Sequence, residues 1–420
     1  MSRADSTLML LTEKLKKKFK WVRELEEDQP VILSTLLFVF LLTSWLTGLP
    51  FSERTGDAYE MMYELPLKIV RYCIYIFCIF VIGMNFLIGY YKFWHLFIIC
   101  LVGLATFLIC RSSEFFIWFL LIMAEAPSDF RRILKVYAIC QGFILLFIPF
   151  LSSFGLLSNV MFDADRLRQG IGFTWTTTAP MMLFFFILTI YKIQNTKMSS
   201  FTVYLFALSV LWLYFLTNTR MVFLCSLLFL VLILLTNKWP RWFDFTEQRW
   251  FYYVLVILPL FLAMLSFVLV MFYDQNNAIF KILNKVLSGR LSLTQKAVQR
   301  YGIHLLGENI EWMGHGLETV RASKYIYVDI SYMNILINFG VIVLGGVIYF
   351  YSKLLAVSWR RKDRPMMMII VFILLLSFIE VRLINPLYNP FILLFGNLAL
   401  KDKFKTSVFK PALEKSSKQL

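Results

Sequence analysis

Long apolar runs recur along almost the whole chain, and short polar stretches separate them. Between Pro30 and Leu400 the runs are about 20 residues long, which is the length that an α-helix needs to cross a hydrocarbon core of about 30 Å. A membrane β-barrel would instead show shorter segments of alternating polarity. The pattern therefore predicts an all-α, polytopic membrane protein of about twelve transmembrane helices.

Each predicted span is an apolar run bounded by charged or polar residues. The spans lie near 30–49, 67–90, 93–110, 113–126, 133–155, 171–191, 199–217, 220–237, 250–273, 331–353, 365–382 and 387–400.

The spans divide the chain into five parts, of which two are basic tails and one is a long polar loop. The parts are an N-terminal tail (1–29), spans one to nine (30–273), the loop (274–330), spans ten to twelve (331–400) and a C-terminal tail (401–420). Because long loops are uncommon in compact proteins and are often functional, the loop is the first place to look for a site.

The composition is that of a membrane protein and differs from that of soluble domains. The chain is 59% hydrophobic and 16% charged, whereas soluble domains have about 25% charged residues. The net charge of +16 is typical of loops that face anionic lipid, so no nucleic-acid partner is expected. The six cysteines lie in or beside apolar runs and are interpreted as small core residues.

The distribution of cations predicts the orientation. With the N-terminus in the cytoplasm, the inner segments hold 27 of the 42 Lys and Arg residues, and both tails are cytoplasmic. The inner side has 18 Lys and 9 Arg, whereas the outer side has 5 Lys and 9 Arg. Because the planar guanidinium binds phosphate or carboxylate through two oxygens at once, this bias suggests an anionic ligand at the outer face.

The stretch "SGRLSLTQKAVQRYG" (288–302) predicts a helix within the outer loop. Its apolar positions recur at helical spacing and suggest an amphipathic helix on the outer surface; they are Leu287, Leu291, Val298, Tyr301 and Leu305. Arg290 in the first turn opposes the helix dipole. A bound phosphate would explain a cation at that position.

Several motifs occur in a fixed order at the predicted outer face. They are "RLRQGIGFTW" (166–175), "LTNTRMVFL" (216–224), the loop helix followed by "GHG" (314–316), "YVDISYMNILINFG" (327–340) and "FIEVRLINPLYNPFILLF" (378–395). In this order and spacing the chain resembles the Wzy-type polysaccharide polymerases. That family belongs to the superfamily of the O-antigen ligases, and the likeness is closest to the capsule and exopolysaccharide polymerases of Gram-positive bacteria.

The resemblance implies a bacterial, multi-pass protein of the cytoplasmic membrane with a GT-C-like fold. Such an enzyme moves a growing glycan from an undecaprenyl diphosphate donor to a repeat unit on a second lipid carrier, with inversion and without a metal or another cofactor. Flippases and chain-length regulators are its implied partners, together with the bilayer. Two positions depart from the family pattern: Thr174–Thr177 replaces a His-Pro-Asn, and Asp329 stands where ligases carry a histidine.

The chemistry assigns roles to charged residues near the outer face. Preorganised arginines stabilise the charge that grows on a departing diphosphate, and a carboxylate or imidazole can accept the proton of the acceptor hydroxyl. The expected diphosphate ligands are Arg168, Arg220 and Arg290, followed by Arg166 and Arg382. The expected base is Asp329 and then Glu380, with His304, His315 and Tyr332 as secondary candidates.

Other interpretations stay open for the same residues. An arginine at a span end can anchor the helix at the lipid surface, Asp329 can cap the tenth span, and Glu380 can pair with Arg382 within the fold. At the level of the whole protein, the alternatives are a ligase for finished glycans, a transporter of lipid-linked sugars and a non-catalytic scaffold. Two similar halves would favour the transporter, and no such repeat is evident.

Overall fold

The computed structural model describes residues 20–47, 49, 65–157, 159, 168–195, 198–312, 326–406 and 408–409, with backbone alone for 20–26. Throughout these ranges the regular elements are helices, and a single antiparallel bridge joins Tyr91 to Leu400. The expectation of an all-α protein is confirmed.

The structure describes thirteen α-helices in the ranges given above. They are α1 (Lys20–Leu46), α2 (Leu65–Leu87), α3 (Phe93–Cys110), α4 (Ser113–Ala124), α5 (Phe130–Ser153), α6 (Thr178–Gln194), α7 (Ser200–Thr217), α8 (Arg220–Lys238), α9 (Arg249–Met271), α10 (Ala278–Val286), α11 (Arg290–Tyr301), α12 (Ser331–Arg360) and α13 (Arg364–Leu376). Three 3₁₀ helices span Pro240–Glu247, Pro390–Leu398 and Asp402–Phe404.

Eight of the described helices are long and apolar enough to cross a membrane, and α4, α6 and α13 are shorter apolar helices. The last predicted span, 387–400, contains the 3₁₀ helix Pro390–Leu398 instead of a long α-helix. At about 2 Å per residue this element is far shorter than a hydrocarbon core. Pro390, with no backbone N–H to donate, stands at its start, and Asn389 caps it by accepting from the N–H of Phe391.

The outer helices carry large apolar side chains on their exposed faces. Examples are Ile76 (70% exposed), Phe215 (75%) and Leu224 (56%). A surface this apolar is unstable in water and stable in contact with lipid. In contrast, α6, the first part of α12 and α13 are buried on nearly every side, so these three elements form the centre of the bundle.

The described parts of the segment between α9 and α12, residues 272–312 and 326–330, lie at one end of the bundle, which we call the loop end. There α11 packs against α9 and α12, and Gln295 of α11 donates to the carbonyl of Tyr273, just beyond α9. The turns at 92, 240–247 and 361–363 lie at the other end, which we call the opposite end; for instance, Lys362 pairs with Glu247 there.

The helix predicted in the loop is present as α11, but its apolar stripe does not face outward. Leu291, Thr294 and Ala297 are fully buried, and Leu305 lies beyond the end of the helix and is 65% exposed. The exposed amphipathic element is the preceding helix α10, whose Ile279, Ile282 and Val286 are uncovered. The prediction of an amphipathic surface helix therefore fits α10 better than α11.

Gly340 breaks α12 within its apolar sequence. Its φ of 87° lies in the region that favours glycine, and the break frees backbone groups that need partners inside a membrane. The loop supplies them: the N–H groups of Val341 and Ile342 donate to the carbonyls of His304 and Leu305, each at 3.1 Å. The loop is thereby fixed to the buried part of α12.

Candidate functional site

Three charged residues from separate parts of the chain meet at the loop end. Arg290 begins α11, Asp329 lies two residues before α12, and Glu380 follows α13. The Nε atom of Arg290 is 3.3 Å from Oδ2 of Asp329, and its Nη2 atom is 3.0 Å from Oε1 of Glu380. One guanidinium therefore joins the two carboxylates that the sequence identified as candidate bases.

Local geometry explains why Arg290 occupies the start of a helix. Ser288 (φ 55°) and Gly289 (φ 84°) reverse the chain after α10. The Oδ1 atom of Asn284 then accepts from the N–H groups of Leu291 and Ser292, at 3.1 and 3.2 Å. The first amides of α11 are thus partly satisfied, and the two carboxylates offset the unfavourable dipole. The sequence predicted a phosphate in that role.

Hydrogen bonds of Ser331 fix the positions of Asp329 and Glu380 relative to each other. The Oγ atom of Ser331 donates to the backbone carbonyl of Glu380 at 2.6 Å, and it accepts from the N–H of Leu383 at 3.3 Å. The N–H of Ser331 donates to the carbonyl of Ser377. Ser331, at the start of α12, is therefore hydrogen-bonded to the backbone before, at and after Glu380. These backbone contacts set the separation of the two carboxylates.

Arg382 lies beside this cluster and is deeply enclosed. Its guanidinium lies over the ring of Tyr388, 4.5 Å from the centroid, and its Nη1 atom donates to the carbonyl of Val381 at 3.3 Å. Its Nε atom is buried and has no hydrogen-bond partner among the described residues. Arg382 also acts electrostatically on Asp329 and Glu380, so a second cation faces the same carboxylates.

Asp329 is the more accessible of the two carboxylates. Its side chain is 27% exposed, whereas that of Glu380 is 7% exposed. Asp329 precedes the first residue of α12, and burial raises its pKa above the ordinary value, although Arg290 and Arg382 oppose the shift. The α-helix that follows begins after Ile330 without a side-chain cap, and the Asp329 carboxylate faces Arg290.

Arg168 and Arg220 both lie at the turn between α7 and α8. The N–H of Gln169 donates to the carbonyl of Leu216 at 3.1 Å, which places Arg168 next to the turn between α7 and α8. Arg168 also acts electrostatically on Glu380. Arg220 is the first residue of α8 and is exposed, and the turn places it on the same side as Arg168.

The remaining candidates lie elsewhere. Arg166 and His315 fall outside the described residues. His304 is half exposed and is 3.4 Å from the Oε2 atom of Glu308, and its backbone carbonyl serves the break in α12. Tyr332 is buried and donates its hydroxyl to the carbonyl of Leu374 at 2.9 Å, which is a contact between α12 and α13.

A polar cavity of about 160 Å³ adjoins the cluster, and the sequence did not predict it. Trp312 and Tyr327 from the loop, Asn334 and Asn338 from α12, and Arg382 contribute to its wall. The indole N–H of Trp312 donates to Asn338 Oδ1 at 2.9 Å, and the amide of Asn338 donates to Asn334 Oδ1 at 3.0 Å. Two asparagines four residues apart in an apolar span were the available signal, since they share one helix face.

The arrangement can bind an anion beside a proton acceptor in a largely dry environment. Of the five N–H groups of Arg290, one faces Asp329, one donates to Glu380 and one approaches the carbonyl of Leu287 at 3.4 Å, which leaves two for a ligand. Within the described ranges, no group of three or more His, Cys, Asp or Glu residues is arranged to hold a metal ion. Comparisons with protein-family models, curated proteins and solved structures found no match.

Proposed function

We propose that this protein is a membrane glycosyltransferase that polymerises lipid-linked oligosaccharide repeat units. The donor is a glycan on undecaprenyl diphosphate, the acceptor is a repeat unit on a second carrier, and the product is a capsular or exopolysaccharide. The cluster of Arg290, Asp329 and Glu380 carries the proposal, because three of the motifs behind the Wzy-type resemblance each contribute one of its members.

The cluster suits this chemistry. A departing diphosphate gains negative charge as the glycosidic bond breaks, and fixed guanidinium groups stabilise that charge. Arg168, Arg220 and the two remaining N–H groups of Arg290 would bind the donor diphosphate. Binding there also brings the anomeric carbon close to the carboxylates that Arg290 positions.

Asp329 is the proposed base. Its raised pKa brings the proton affinity of the carboxylate closer to what a base needs near neutral pH. It accepts the proton of the acceptor hydroxyl while that oxygen forms the new bond to the anomeric carbon, and the diphosphate leaves with the electrons of the old bond. A single displacement of this kind inverts the anomeric centre. Glu380, less exposed and bound to Arg290, acts as a positioning residue.

The proposal includes the finer topology. Twelve segments cross the cytoplasmic membrane of a bacterium in a GT-C-like arrangement, with both termini in the cytoplasm and the loop end outside. The twelfth segment is the buried stretch that contains Pro390–Leu398. The exposed apolar helix α10, with Lys281 and Lys285 on its polar face, suits the outer lipid surface. A flippase and a chain-length regulator are the proposed partners.

Replacing Arg290 tests the proposal. We expect Arg290→Ala to lower polymer synthesis at least about a hundredfold, since it removes a donor to the developing charge and leaves two carboxylates unpaired. Arg300→Ala is the matched control: it removes an arginine from the other end of the same helix, where the guanidinium lies over Tyr301. Polymer is measured in the host by gel analysis, with the membrane level of each variant checked.

The accumulated lipid-linked product separates a polymerase from a ligase. A defective polymerase leaves single repeat units on the carrier, whereas a defective ligase leaves long chains there. If Arg290→Ala and Arg220→Ala both give full-length surface polysaccharide at normal protein levels, the proposed site is wrong.

A further inference from the structure

An apolar groove continues the wall of the polar cavity into the body of the bundle. It encloses about 210 Å³ between α3, α4 and α12, and its lining is almost entirely apolar. Trp118 and Ile384 line both the cavity and the groove. Next to them the rings of Phe115, from the groove, and Phe339, from the cavity, stack at 4.6 Å.

The two compartments lie one after the other along α3 and α4 and share Trp118 and Ile384 in their walls; we call the two together the path. On α3 the path runs from Cys110 in the cavity to Ile98 in the groove, a distance of about 18 Å along the helix axis. Ile98 and Ile342 at the groove are exposed, by 56% and 38%. A chain molecule can therefore enter the groove from the surrounding lipid while its polar end reaches the cavity.

The polar end of this path suits sugars. Trp312 and Tyr327 offer aromatic faces, and Asn338 and Glu308 offer hydrogen-bonding groups for hydroxyls. The Nε atom of Arg382 is buried and has no hydrogen-bond partner among the described residues, whereas Oε2 of Glu308 lies 3.4 Å from Nε2 of His304. The cavity volume of about 160 Å³ has room for roughly ten water molecules. The cavity is therefore larger than a site for a single bridging water.

We infer that the cavity and groove together bind the acceptor, with its sugar in the cavity and its polyprenyl chain in the groove. The inference rests on the proposed function, which supplies the lipid-linked substrate. Arg168 and Arg220 lie at the turn between α7 and α8, whereas the cavity borders α3 and α4, so donor and acceptor approach the carboxylates from two sides. Tyr327, two residues before Asp329, and Arg382 form the boundary between cavity and cluster.

A bilayer phospholipid is the competing occupant of the groove. Its charged headgroup would face Glu308 and Glu114 in the cavity, which disfavour an anion. A polyprenyl diphosphate also carries charge, but the sugar beyond it extends toward these carboxylates as a hydrogen-bond donor. The path therefore favours a glycolipid over an anionic phospholipid.

Two adjacent glycines provide a matched test. Gly346 lines the groove, and a Cβ there would meet only Phe395 at 3.9 Å, whereas Gly345 does not line it and a Cβ there would meet nothing within 4 Å. Gly346→Leu should fill the groove, and Gly345→Leu should add the same side chain to the same helix turn outside it. Both changes replace glycine by a better helix former.

The measurement is photolabelling of the purified protein in lipid nanodiscs with a farnesyl-diphosphate-linked hexose that carries a benzophenone at the far end of its prenyl chain. We expect labelled peptides from α3, α4 and α12, at least a tenfold loss of this labelling in Gly346→Leu, and wild-type labelling in Gly345→Leu. Undecaprenyl-diphosphate-linked sugar should compete, and phosphatidylglycerol should not.

Three results would overturn the inference: labelling elsewhere alone, labelling of these helices that Gly346→Leu does not reduce, or equal competition by phosphatidylglycerol. The assay involves no glycosyl transfer, so it also separates the two proposals. If Arg290→Ala and Arg220→Ala both retain full polymer, the proposed site fails whatever the photolabel shows. If Arg290→Ala loses polymer while Gly346→Leu keeps its labelling, the acceptor path alone fails.

Discussion

At the opposite end of the bundle, ion pairs join turns that lie next to one another. Lys362 pairs with Glu247 at 2.7 Å, and Arg364 pairs with both Glu247 and Asp244. Most of these side chains are well exposed, Lys362 by 70%. Such pairs are screened by water and salt, and their partners can be exchanged with little change to the fold.

At the loop end the same chemical groups are arranged differently. Arg290 is 14% exposed and is shared by two carboxylates, and Arg382 has a buried Nε atom without a partner in the described structure. Backbone contacts through Ser331 fix the spacing of the acids. Both groups contain an arginine that is shared by two carboxylates, so the difference between these two groups of charges is one of burial. Under the proposed function, the buried charges at the loop end bind a ligand, whereas the exposed charges at the opposite end join turns.

The largest effect is expected from disrupting the support of the loop end. In Gly340→Ala, the backbone angle alone costs about 1–3 kcal/mol, and the new Cβ would lie 2.4 Å from the N atom of Gly307 and 2.5 Å from the carbonyl O of Leu305. We expect this variant to be recovered as little or no folded protein, measured by size-exclusion chromatography in detergent.

The matched control for this change is Gly345→Ala on the same helix, where a Cβ meets nothing within 4 Å. It should be folded and active. Folded Gly340→Ala protein with normal polymer synthesis would mean that the break in α12 does not support the site.

Hydropathy was sufficient to locate most helices, since an apolar run of 20 residues in a membrane has few other folds. The candidate residues Arg290, Asp329 and Glu380 could be identified because they lie in motifs at the predicted outer face and carry groups that can bind a phosphate or accept a proton. Their pairing could not be predicted, because it depends on how the ends of three separate segments meet. The sequence therefore assigned Arg290 directly to phosphate and missed its carboxylate partners.

The features missed by the sequence depend on contacts between distant residues. The break at Gly340 is stabilised by the carbonyls of His304 and Leu305. The sequence around Gly340 does not predict this break, because its partners lie more than 30 residues away. The cavity forms only where Trp312 of the loop reaches Asn338 of α12. The surface helix α10 has apolar residues at helical spacing, namely Ile279, Ile282 and Val286. The sequence nevertheless predicted the amphipathic surface helix in the more polar stretch that follows, 288–302.

Replacing the proposed base should have the next largest effect. Asp329→Asn keeps the size of the side chain and removes its ability to accept a proton, so we expect the polymerisation rate to fall by about 10²–10⁴. Asp244→Asn at the opposite end is the matched control, because Arg364 keeps its contact with Glu247 there. Rates are measured on purified lipid-linked repeat units in detergent.

The pH profile separates a base from a structural carboxylate. Because burial raises the pKa of Asp329, the wild-type rate should fall as the pH drops through that raised value, since the protonated carboxyl cannot accept a proton. Arg382 lowers this pKa, so Arg382→Gln should move the acidic limb to higher pH. A limb that keeps its position in Arg382→Gln, or an Asp329→Asn enzyme with wild-type rate, would remove Asp329 from the mechanism.

The smallest effect on polymer synthesis is expected from a substitution at the opposite end. Lys362→Ala removes an exposed cation, and exposed ion pairs contribute little to stability because water screens them and the long side chains lose entropy when they pair. Arg364 remains in contact with Glu247 in this variant. We expect polymer synthesis within about twofold of the wild-type rate and the same thermal midpoint in low and high salt. A loss comparable to that of Arg290→Ala would show that the pairs at this end also support catalysis, and burial would then no longer distinguish the two groups of charges.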